Sequence, residues 1–63
     1  MITSAHLQAS ANRARSLNNE LMNIYGALCT PAGSKVAARD IYELAEDMRR
    51  AAERLEALAA KMR

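Results

Sequence analysis

The chain has 63 residues, a single cysteine and a formal net charge of +2. That length holds one small domain, and a lone cysteine excludes an intrachain disulfide. His6 and Cys29 are the only soft ligands, too few for a structural zinc site, and the net charge is too small to point to nucleic acid by itself.

The first element is read from Leu7, Ala14, Leu21 and Leu28, which recur every seventh residue. Ala11 and Tyr25 flank them on one side, Leu17 and Ile24 on the other. This spacing predicts a helix from about residue 4 to residue 29. With Thr3 as N-cap, Ile2 and Leu7 take the two positions of a hydrophobic staple. Gly26 falls late on the outer side, where it costs about 1 kcal/mol relative to alanine. Asn18 lies in line with Ala11 and Tyr25; buried there, it would act as a register or orientation device. Residues 1–19 lack Asp and Glu and are rich in Ser and Ala, a composition shared with mitochondrial transit peptides. The helical pattern runs unbroken past residue 19, which favours a helix of the folded domain.

Thr30-Pro31-Ala32-Gly33-Ser34 then breaks the pattern. Pro31 cannot continue a helix and pushes Thr30 out of helical dihedrals. Gly33 tolerates positive φ, and Ser34 is a good N-cap. The expectation is a short interhelical turn over residues 30–34.

The second helix is predicted over about 35–62. Ala38, Ala45, Ala52 and Ala59 repeat every seventh residue, and Ile41, Met48, Leu55 and Met62 repeat three residues on. Two matched helices joined by a five-residue turn make an antiparallel hairpin. Ala37, Leu44, Ala51 and Leu58 widen the apolar stripe to three positions per heptad, which suits a helix packed against two neighbours. One hairpin supplies one neighbour. The fold expected is therefore all-α, a hairpin that homodimerises into a four-helix assembly with an alanine-rich coiled-coil seam. Its predicted seam and dimer core comprise Leu7, Ala11, Ala14, Leu17, Leu21, Ile24 and Leu28 with Ile41, Leu44, Ala45, Met48, Ala52, Leu55, Ala59 and Met62. Energetics agree. Even an ideally compact fold of this mass gains about 90 kcal/mol from apolar burial and loses about as much in ordering the chain.

Signals for catalysis are weak. His6 has no acid or nucleophile near it in sequence, and Cys29 lies at a helix C-terminus, whose dipole disfavours a thiolate. No phosphate loop or nucleophile motif is present. Residues 34–63 carry seven basic and six acidic side chains, read as a solvated face with Glu46 and Asp47 both reaching Arg50. The outer face of the first helix is different: Gln8, Asn12, Arg13, Arg15, Ser16, Asn19 and Asn23 present amides and guanidiniums with little acid. Such groups bind a partner's backbone or RNA phosphates and sugars. Met22, Tyr25 and Tyr42 lie at the stripe margins, as core edges or exposed anchors. The candidate partner-binding residues are Asn12, Arg13, Arg15, Ser16, Asn19, Met22, Asn23 and Tyr42.

In length, hairpin architecture and alanine-rich seam the chain resembles the small plasmid RNA-binding hairpin dimers of the Rop family. The resemblance includes no sequence motif, so it implies an architecture and assigns no residue roles. The function expected is a non-enzymatic adaptor or inhibitor of bacterial or phage type that occludes a partner protein through a helical face. An RNA-binding dimer and a small assembly or chaperone subunit are the alternatives. No cofactor, metal, small-molecule substrate or membrane partner is expected, and a lone thiol fits a cytoplasmic location.

Overall fold

The computed structural model describes residues 1–62, and these form two helices packed against each other in a hairpin. Helix α1 spans Ser4–Leu28 and helix α2 spans Lys35–Lys61. The rod they make measures 48 × 14 × 13 Å between Cα extremes. No described helix is long and apolar enough to cross a membrane.

Each helix end has a local cause. At α1, the backbone N–H of Thr3 donates to Nδ1 of His6 at 3.1 Å, so the imidazole takes the place a glutamate holds in a capping box. Ile2 remains 63% exposed, so a staple with Leu7 shields little of it. At the other end the Cys29 N–H donates back to the Tyr25 carbonyl at 3.0 Å. Ser34 caps α2 as its residue type suggests, its Oγ accepting from the Ala37 N–H at 3.1 Å.

The turn departs from expectation in one respect. No described glycine has positive φ, so Gly33 is not there for a left-handed conformation. It is there for space: a Cβ on Gly33 would overlap the Leu28 carbonyl oxygen, because the turn folds back against the end of α1. The Gly33 N–H donates to the Thr30 carbonyl at 2.9 Å and tightens that return.

Where the helices meet, the buried residues are all alanines: Ala11 from α1 and Ala38, Ala45, Ala52 and Ala59 from α2. Among the described residues no large side chain is fully buried. Leu7, Leu21, Leu28, Ile41, Met48 and Leu55 are half-buried along the edges of the contact. Asn18 is partly buried among them, and its Nδ2 donates to the Ala45 carbonyl at 2.6 Å. An alanine leaves its own carbonyl open to a neighbouring helix, and Asn18 uses that opening to fix how far one helix has slid along the other.

The two glycines should respond oppositely to substitution. A Cβ on Gly26 meets nothing within 4 Å, so Gly26→Ala should stabilise the helix by about 1 kcal/mol. Gly33→Ala should cost more than about 1 kcal/mol. Thermal melts of both variants at one protein concentration check this; melting temperatures moving the same way would refute the steric account of Gly33.

Candidate functional site

The heptad on each helix divides the hairpin into two flanks and two outer faces. With Ala11 and Asn18 on α1 and the four buried alanines of α2 at the central position, Arg15, Met22, Tyr42, Arg49 and Glu56 share one flank. Leu17, Ile24, Leu44, Ala51 and Leu58 share the other. In an antiparallel pair like flanks of the two helices lie side by side.

The first flank is bridged by its own side chains. Arg15 Nε donates to Glu56 Oε2 at 3.1 Å, and a second bond joins Arg15 Nη2 to Glu56 Oε1. Toward the turn, Tyr25 and Tyr42 pack with ring centroids 5.4 Å apart and planes tilted by 54°. The neighbouring Cys29 thiol is the main cause that holds the Tyr25 phenol above its ordinary pKa, with burial and Tyr42 adding to it. Arg49 donates from both Nη atoms, to Glu53 and to Glu46, at 2.7 Å each. This corrects the expected pairing of Glu46 and Asp47 with Arg50. Arg49 sits at the edge of the helix–helix contact, within reach of acids three residues before and four after it, whereas Arg50 is carried one position farther out.

The second flank has no such bridges. Leu17, Ile24, Leu44 and Leu58 are each between 43% and 49% exposed, and Met62 at the end of α2 is exposed to the same degree. Beside them, at one heptad position, stand Arg13 and Glu20 on α1 and Asp40, Asp47, Arg54 and Lys61 on α2. None of these six takes part in an ion pair among the described residues, although every pair that does form involves charges from other heptad positions. The sequence alone reads the four of α2 as part of a solvated face and Arg13 as part of the amide-rich face of α1. The signal available was their seven-residue spacing beside Leu44 and Leu58.

The candidate partner-binding residues therefore fall in three places. Asn12, Ser16, Asn19 and Asn23 are exposed on the outer face of α1, where the one side-chain hydrogen bond among the described residues joins Gln8 to Asn12 at 3.2 Å. Arg13 stands on the rim of the open flank. Arg15, expected on the outer face, instead reaches across to Glu56, and Met22 and Tyr42 share that bridged flank. A cleft of about 360 Å³ opens at the turn end beside Tyr25, Tyr42, Cys29, Lys35 and Arg39. Among the described residues no group of three or more His, Cys, Asp or Glu converges as a metal site.

Two of these ion pairs give the hairpin an acid sensitivity. Hydrogen bonds from Arg15 hold the Glu56 carboxyl below the usual glutamate range, and Arg49 does the same for Glu46. A depressed folded pKa means the pair contributes fully above the unfolded value near ~4.3 and is lost as pH falls through the lowered value. The Glu56→Gln variant should therefore melt lower than wild type at neutral pH, and its melting temperature should fall less between about pH 6 and about pH 2. Equal pH slopes would show that the Arg15–Glu56 pair adds nothing to stability. Comparison of the chain with protein-family models, curated proteins and solved structures found no match.

Proposed function

We propose that this protein is a non-enzymatic regulator of the adaptor or inhibitor type, acting as a homodimer of hairpins and occluding a partner protein with the outer face of α1. The assembly is a four-helix arrangement in which each hairpin is held by an alanine-rich coiled-coil seam and the open apolar flank is covered by a second copy. Area supports the association. The hairpin exposes 4750 Å², whereas a compact monomer of 6.9 kDa exposes about 4,000 Å². The excess matches the roughly 800 Å² that each partner buries in a standard interface.

The observation that carries the functional reading is the unused amide face. Asparagine is a poor residue for a helix interior, less favourable than alanine by about 0.5 kcal/mol. Asn18 repays that cost inside the hairpin through Ala45. The side chains of Asn19 and Asn23 form no intrachain hydrogen bond among the described residues, and that of Asn12 only accepts from Gln8. Amides held at a cost on an exposed, preformed helix suit hydrogen bonding to another macromolecule. A protein is favoured over RNA because Arg15 is engaged by Glu56, leaving Arg13 and the nearby Glu20 as the free charges of α1. Phosphate recognition needs more cation than that.

The test replaces Asn12, Ser16, Asn19 and Asn23 with alanine together. The tagged variant should keep or gain helicity and lose the partner that wild type captures from its native host, and nuclease treatment should leave wild-type capture unchanged. Retention of the partner by the variant, or its release by nuclease, would overturn the reading.

A further inference from the structure

The six rim charges are sorted by sign along the rod. Arg15–Glu56 and Tyr25–Tyr42 show which residues of α1 and α2 stand at the same height. With that register Glu20 is level with Asp47, and Arg13 is level with Arg54. Asp40 lies farther toward the turn, and Lys61 lies farther toward the free ends. The turn half of the rim is thus wholly acidic and the other half wholly basic. The sign changes near Leu17 and Ala51, close to mid-length of both helices.

We infer that the open flank is the docking surface for a second copy of this chain, seated antiparallel, with the two turns at opposite ends of the dimer. The inference rests on the self-association proposed above and adds its orientation. A two-fold axis crossing the rod at Leu17 and Ala51 superposes the full lengths of both hairpins. It sets Glu20 and Asp47 of one copy against Arg13 and Arg54 of the other, and Asp40 against Lys61. Leu44 then meets Leu58 of the second copy, and the small Ala51 lies where the helices cross closest. A dimer with both turns at one end would instead oppose Glu20 with Asp47 and Arg13 with Arg54. Like charges at a rim select against an orientation even where each contributes little affinity. These six charges are free for this role because none of them is ion-paired among the described residues.

Cys29 provides the measurement, being exposed, at the turn, and the only cysteine. A nitroxide attached to it in the otherwise unaltered protein reports the distance between turns by pulsed electron spin resonance. At 1.5 Å per residue the antiparallel dimer predicts a separation of about 40 Å. With both turns at one end it would be below roughly 20 Å. The short distance in a dimer would overturn the orientation and leave self-association standing. A monomeric mass with no dipolar signal would overturn both. Charge reversal gives an independent reading. Glu20→Arg with Asp47→Arg should weaken the dimer by at least about tenfold at low salt. Adding Arg13→Glu and Arg54→Glu should restore it, since the inverted rim is again self-complementary. Failure of that rescue in a helical quadruple variant would contradict the charge match.

Discussion

The structure depends on how closely α2 approaches α1 along its alanine edge. Ala38, Ala45, Ala52 and Ala59 are buried on α2 and Ala11 on α1, so the side chains buried at the contact are methyl groups. Close approach gains dispersion contacts along the whole length but leaves no interior volume for a large side chain. The leucines, isoleucines and methionines are displaced to the edges, where they are half-buried or exposed. A hairpin built this way is well registered and poorly covered. Asn18 belongs to the same constraint, since its bond to the Ala45 carbonyl requires a neighbour without a bulky side chain.

From that contact the two flanks take different courses. On one, charged and aromatic side chains cross between the helices and finish the surface: Arg15 with Glu56, and Tyr25 with Tyr42. On the other, leucines and an isoleucine lie open beside charges that have no ion-pair partner among the described residues. The same residue types that would be a solvated pattern on an isolated helix become a directional pattern once two helices are set side by side. The outer amide face of α1 is separate from both flanks, so a dimer built on the open flank leaves it accessible. In the proposed reading, assembly and recognition therefore occupy different sides of one thin element.

Much of the fold was legible from residue types alone, because its determinants are local. Pro31, Gly33 and Ser34 mark the turn, and the structure ends α1 at Leu28 and α2 at Lys61, each one residue short of the predicted bounds. What could not be read depends on height along the rod. The Arg15–Glu56 pair joins residues 41 positions apart, and only the packed register brings them level. The sign-sorted rim is hidden for the same reason, since Glu20 and Asp47 become neighbours only after the chain reverses. Gly33 illustrates a local residue with a non-local cause: its type was evident, but the steric demand comes from the Leu28 carbonyl. The capping role of His6 is hidden in the sequence because an imidazole is not the usual acceptor in a capping box.

Tight alanine contact and an uncovered apolar flank together make one claim, that a single hairpin is not the stable unit. The most direct measurement is the thermal midpoint across a hundredfold range of protein concentration, with the solution mass determined at each end. The account predicts a midpoint that rises with concentration and a mass that moves from one chain toward two. A midpoint independent of concentration, at the mass of one chain throughout, would contradict it.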